Sequence, residues 1–231
     1  KEEGCIASAR DEIGAHGYEL FEANPPRAIA ERVVGRALNQ LRAKPARGGE
    51  YPCVLGTNVV GVLAHEAIGH ICEADLTLAG SAIQGMLGRT IASEAVTICD
   101  SALLPEGFGA IKYDDEGVPG ERTVLIERGV LTGLMHNRET AAKMSMKPTG
   151  NARAQDFRVP PLVRMRNTYF EPGDHTFEEL LEGIGFGYYL ESFRGGQANL
   201  DGTFTVGIQN AFEISRGELG DPVRNLGISG N

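Results

Sequence analysis

The sequence predicts an α+β fold: a helical N-terminal part that carries a histidine motif, followed by a large, mainly antiparallel β-sheet. Two observations predict it. Apolar residues recur at three- and four-residue spacing between Ile29 and Leu41 and fill the run from Val59 to Ile71, the pattern of amphipathic and buried helices. Beyond about residue 90 they fall instead in short, often alternating runs divided by turn residues, the pattern of strands. The change of period puts helices in residues 1–75 and strands in 76–231, within one domain.

Composition narrows the function classes. Apolar residues make up 42% and charged residues 23% of the chain, the balance of an ordinary globular domain. No apolar stretch approaches the roughly 20 residues of a membrane-spanning helix. With 22 basic against 31 acidic residues, a net charge of −9 and no basic stripe, a nucleic-acid partner is excluded. The chain opens on Lys1 rather than Met, so the lack of a visible signal peptide carries little weight. Cys5, Cys53, Cys72 and Cys99 have no framework spacing, which fits a reducing cytoplasm.

In chain order, Ile6–Ile13 fits a helix and His16–Phe21 a short strand. Asn24-Pro25-Pro26 reads as a capped helix start, and the helix runs on Ile29, Val33, Val34, Ala37, Leu38 and Leu41 to about Lys44. Cys53–Gly56 is a short strand, and Thr57-Asn58 caps the helix leading into the histidine motif. The glycine-rich stretch 79–89 is either a flexible connector or a lid beside that motif. Strands follow at Ala95–Ile98, Ala110–Tyr113, Thr123–Ile126 and Val130–Met135, the last two forming a hairpin through Glu127-Arg128-Gly129. The acidic turn Asp114–Gly120 lacks calcium-loop spacing and reads as a solvated turn. A short helix starts from Asn137, another carries Phe177, Leu180 and Leu181, and strands at Ile184–Leu190 and Thr203–Ile214 flank a turn at Gly195-Gly196-Gln197.

The chemistry concentrates in His65-Glu66-Ala67-Ile68-Gly69-His70. Imidazole suits zinc, and a carboxylate beside the first imidazole can take a proton from metal-activated water. The spacing is i, i+5. On a straight α-helix turning about 100° per residue, the two rings stand roughly 140° apart, whereas the familiar i, i+4 pair is about 40° apart. Either the histidines are unrelated, or the helix bends or ends between them. Gly69 is placed to do that by leaving the helical region. His16, His136 and His175 have no partner spacing and read as surface or turn residues.

The run HEAIGHICEAD resembles the HExxxH motif of the TldD/PmbA family of metallopeptidases, on the TldD side; the PmbA/TldE-type subunit lacks the motif. Other stretches resemble the family too: the DDEG-PG turn at 114–120, VLIE-G at 124–129, PTGN-R at 148–153, RM-NTY at 164–169 and GGQ at 195–197. The likeness extends from about residue 54 to 226. It implies a zinc peptidase acting on unfolded or modified peptides. His65 and His70 would be zinc ligands and Glu66 the general base. The peptide would bind in extended form, in a chamber shared with a PmbA/TldE-like subunit or a second copy. The family's third ligand is a cysteine in a CGK-like segment downstream of Pro222–Leu226, and none of the four cysteines here aligns with it. By that comparison residues 1–231 are a truncated catalytic domain, lacking the cysteine segment and the family's separate N-terminal α/β domain, and inactive alone. Glu73 and Asp75 could assist the metal, but read better as carboxylates supporting the ligands or ending the helix. The alternative is a non-catalytic peptide-binding or assembly protein with an incomplete metal site.

Overall fold

The computed structural model describes residues 6–14 and 17–231. In chain order its helices are α1 (Leu20–Ala23), α2 (Pro26–Arg42), α3 (Thr57–Leu63), α4 (Ala74–Leu78), α5 (Arg138–Met144) and α6 (Phe177–Leu181). Between α3 and α4 lie a π-helical turn, Ala64–Gly69, and a 3₁₀ turn, His70–Cys72. The strands are β1 (Lys44–Pro45), β2 (Cys53–Leu55), β3 (Ile98–Ser101), β4 (Arg122–Glu127), β5 (Val130–Leu131) and β6 (Ala152–Arg153). They continue as β7 (Leu162–Val163), β8 (Thr168–Phe170), β9 (Phe186–Ala198), β10 (Phe204–Ser215), β11 (Glu218–Arg224) and β12 (Gly227–Gly230). The α+β class is as the sequence predicts, with the strands distributed over three sheets. Among the described residues no helix is long and apolar enough to cross a membrane.

The chain forms two compact units. Of the described residues, the first takes in those between 6 and 62, with 174–196 and 205–229. Its six-stranded sheet has the order β1-β11-β10-β9-β2, with β12 paired to β10. β10 and β11 are antiparallel, while the outer strands β1 and β2 pair in parallel with β11 and β9. Val59, Tyr188, Leu190, Ala211 and Val223 make its main core. Several local expectations change here. Ile6–Gly14 is not a helix: Gln209 holds the Arg10 backbone through both amide atoms, at 2.9 and 3.0 Å, and Asp11 accepts from Arg32 and Arg36, each at 3.0 Å. Side chains therefore satisfy polar groups that a helix would have turned on itself. His16 lies outside the described residues, and the chain from Gly17 turns into α1 rather than forming a strand. α2 starts behind Pro25, whose φ of −54° suits a helix entry, and Asn24 does not cap it; its amide donates back to the Leu20 carbonyl. Gly195-Gly196-Gln197 belongs to the long strand β9, not to a turn.

The second unit comprises residues 63–173, 197–204 and 230–231. The reversal after β9 lies here, at Asn199–Thr203, where Asp201 accepts the Thr203 N–H at 2.9 Å. The main sheet has the order β5-β4-β3-β8 and is antiparallel throughout; β6 and β7 form a separate antiparallel pair. The β4–β5 hairpin turns at Arg128 and Gly129, both with positive φ (46° and 80°), the geometry that matches strand twist. β3 begins only at Ile98, β5 ends at Leu131, and Ala110–Tyr113 makes no strand beyond a single bridge from Tyr113 to Pro119. Asp114 corrects the solvated-turn reading: it is buried and accepts backbone N–H bonds from Glu116, Val118 and Ala152 at 2.9, 2.9 and 3.0 Å. The glycine-rich stretch is anchored, since Ile83 enters the core and Ser81 Oγ donates to the Ile71 carbonyl at 3.1 Å.

Ile71, Cys72, Ala74, Ile98, Leu125, Ile126, Leu131 and Met135 lie together in this unit's core. Met135 also clasps the chain just after the histidine motif: its N–H donates to Cys72 O at 2.9 Å and its carbonyl accepts from Ala74 N at 3.0 Å. The residues following His70 are thus fixed by both packing and backbone bonds.

Candidate metal centre

The histidine motif is solved by widening the helix rather than breaking it. His70 N–H donates to the His65 carbonyl, five residues back, so one turn holds an extra residue and positions i and i+5 stack as i and i+4 do in an α-helix. The His65 and His70 rings meet edge to face with centroids 4.6 Å apart. Gly69 closes the π-turn but keeps helical dihedrals (φ −54°, ψ −55°), so its use is not backbone freedom. A Cβ at that position would overlap Met165 Sδ. Glycine is there because another segment packs against the turn.

One nitrogen or oxygen atom from each of His65, Glu66 and His70 lies within 4.8 Å of the others, close enough for the three to surround a single divalent ion, whether Glu66 binds it or stands beside it. Glu66 Oε2 stands 4.0 Å from His70 Nε2. His70 Nδ1 faces Glu73 Oε2 at 3.3 Å, leaving Nε2 for the site. Glu73 is fully buried, and Arg164 Nη1 approaches the same oxygen at 3.3 Å. This carboxylate–imidazole contact is the arrangement that orients a ligating histidine. Asp75 is turned elsewhere, accepting from Leu76 N and Val163 N at 2.9 and 3.2 Å.

The two imidazoles differ electrostatically. Burial, then the charge of His70, holds His65 below the ordinary histidine value. The hydrogen bond that His70 donates to Glu73, outweighing burial, holds His70 above it. The described cysteines stay outside the cluster: Cys72 is fully buried with its thiol pushed up by that burial, and burial pushes Cys99 up to about 11. His175 is exposed, as expected. His136 is not: it is 1% exposed, with Nδ1 3.2 Å from Thr140 Oγ1 and its pKa lowered by burial. Thr140 and Thr149 enclose it, contacts that spacing alone does not reveal.

Beside the histidines opens a cavity of about 450 Å³ lined by His65, His70, Glu73, Arg153, Arg164 and Arg166, among others. Sequence reasoning missed the arginines as site residues. The available signal was Arg164-x-Arg166, whose spacing puts both side chains on one side of an extended segment.

Residues 48–231 match the sequence profile of the PmbA/TldA metallopeptidase C-terminal domain. The chain belongs to the PmbA/TldD family. A metalloprotease of Methanothermobacter thermautotrophicus is 44% identical over 220 residues, covering 94% of this chain and 48% of the relative. A zinc metalloprotease TldD homolog of Saccharolobus solfataricus is 42% identical over 215 residues, 93% of this chain and 48% of its own length. TldE from Thermococcus kodakarensis has a similar structure, with a TM-score of 0.73 and 27% identity over 89% of this chain and 47% of that one. The chain spans about half the length of the curated relatives it matches.

Proposed function

We propose that this chain carries the catalytic motif of a zinc-dependent peptidase of the TldD type, with His65 and His70 as zinc ligands and Glu66 as general base. The observation that carries the reading is the π-turn, which brings two imidazoles and a carboxylate together at a spacing that a straight helix would keep apart. The donor set fits zinc, and Glu73 behind His70 fits a supported ligand. A bound zinc ion would supply a Lewis acid and a water of lowered pKa.

The chain's own residues do the rest. Glu73 fixes the His70 ring through Nδ1, so that Nε2 is the nitrogen offered to the metal. Glu66 accepts the proton of the attacking water and returns it to the departing amine nitrogen, base and then acid. The reading takes residues 1–231 as part of a catalytic domain whose third zinc ligand is a cysteine outside this sequence. It also takes the working enzyme to be a cytoplasmic assembly with a TldE-like subunit that cleaves extended, unfolded or modified peptides. The zinc metalloprotease named among the relatives and the likeness to TldE support these parts.

The test is Glu66→Gln in the intact protein, assayed with its partner for zinc content and hydrolysis of an unstructured peptide. Zinc should stay stoichiometric while turnover falls by roughly 100-fold or more. Near-normal turnover would exclude Glu66 as the base. A wild-type protein that holds zinc and cleaves nothing would be a peptide-binding protein instead.

A further inference from the structure

We propose that the cavity beside His65 and His70 contains a carboxylate-binding subsite centred on Arg153, which selects peptides presenting a free carboxylate there. The subsite rests on the reading of peptides as substrate, but not on the metal.

Three guanidinium groups line this cavity, and they are not equivalent. Arg166 is committed to structure: Nε donates to Gly150 O at 3.0 Å and Nη2 to Ala152 O at 2.7 Å. Arg164 donates through Nη1 to Val163 O at 2.9 Å and shares Glu73 with His70. The Arg153 side chain has no hydrogen-bond or ion-pair partner among the described residues, although its backbone is fixed where β6 pairs with β7 at Leu162.

The one acid lining this cavity, Glu73, is already engaged twice. Even with Glu66 beside the histidines counted, three guanidinium groups face two carboxylates, and the fork of Arg153, carried on a paired strand, is the one left open. A planar carboxylate matches that fork with two parallel N–H···O bonds. On a peptide it comes from the C-terminus or from an aspartate or glutamate side chain.

The experiment uses the intact protein stripped of metal by chelation, so that a carboxylate cannot simply coordinate zinc. Calorimetry compares acetyl-Ala-Ser-Ala-Ser-Ala as the free acid and as the C-terminal amide. It then compares the amides of acetyl-Ala-Ser-Asp-Ser-Ala and acetyl-Ala-Ser-Asn-Ser-Ala. In one pair the carboxylate should bind roughly tenfold tighter, and which pair does so identifies its source. Arg153→Gln should abolish the preference and Arg153→Lys should keep part of it. Equal binding in both pairs, or a preference that survives Arg153→Gln or requires zinc, would overturn the subsite. Hydrolysis without carboxylate preference would defeat the subsite alone; preference without zinc-dependent hydrolysis would defeat the peptidase reading alone.

Discussion

Replacing Gly69 by alanine separates two explanations of why glycine closes the π-turn. If glycine were needed for backbone freedom, alanine would fail whatever surrounds it. The dihedrals at Gly69 are helical (φ −54°, ψ −55°), so alanine fits the backbone and should gain up to ~1 kcal/mol of helix propensity. The obstacle is steric: a Cβ would overlap Met165 Sδ and stand 3.1 Å from its Cε and 3.2 Å from the Ala64 carbonyl oxygen. Met165 is 8% exposed and belongs to the core, so moving it costs about 1–3 kcal/mol, as overpacking does. The net for Gly69→Ala is about 0–3 kcal/mol of destabilisation. Met165→Ala alone should cost about 2–5 kcal/mol as a large-to-small core change. In that background the Met165 sulfur and methyl are gone and only the Ala64 carbonyl oxygen, at 3.2 Å, still crowds the added methyl, so Gly69→Ala should be neutral or stabilise by up to ~1 kcal/mol. A double-mutant cycle by denaturant unfolding should thus give a coupling of about 1–3 kcal/mol. Equal effects of Gly69→Ala in both backgrounds would refute the steric account.

Glu73→Gln removes the charge that supports His70 and should weaken zinc binding about 10–100-fold, read by competition with a chelator of known affinity. Asn137→Ala deletes a side chain that accepts the Thr140 N–H at 2.9 Å in a capping box and should cost ~1 kcal/mol in unfolding free energy. Asp100 is held above the ordinary carboxylate value, first by burial, with opposing hydrogen bonds from Asn151, Thr168 and Arg166. Its native form therefore binds protons more readily than its unfolded form. Wild-type stability relative to Asp100→Asn should fall as pH rises from about 4 through the raised pKa, then level off; an increase over that window would reverse the assignment.

What the sequence made legible was local chemistry. Asn137 announces a helix start because its side chain bonds a backbone N–H three residues on, and Arg128-Gly129 announces a hairpin because its turn needs positive φ. The errors fall where distant residues decide. Ile6–Ile13 has helical spacing, but Gln209, Arg32 and Arg36 hold it in an irregular conformation. Asp114 looks solvated in sequence, yet it gathers the backbone N–H of Ala152, almost 40 residues away. His136 looks like a turn residue until Thr149 folds over it. At the candidate site, the grouping of His65, Glu66 and His70 was suggested by their chemistry and the fold does bring the three together, while Arg153 gave no such sign.

The i, i+5 spacing also ties the site to the stability of its unit. A helix broken after Gly69 could swing His70 toward His65, but it would release the residues behind it from the helical register. The π-turn brings the rings together while the chain stays helical through Gly69 and enters a 3₁₀ turn whose Ile71 and Cys72 are core residues. π-turns are rare because they lose regular packing, so this one must be held by contacts around it. Those contacts are on both sides: Met165 against Gly69, and Met135 bonded to Cys72 and Ala74. Ring convergence is therefore a product of core packing rather than of the motif alone. The Met135 bonds are made by its backbone and so hold whatever side chain stands there, whereas Ile71, Cys72 and Met165 act through packing; a six-residue signature thus supplies the candidate donors but cannot by itself build the site.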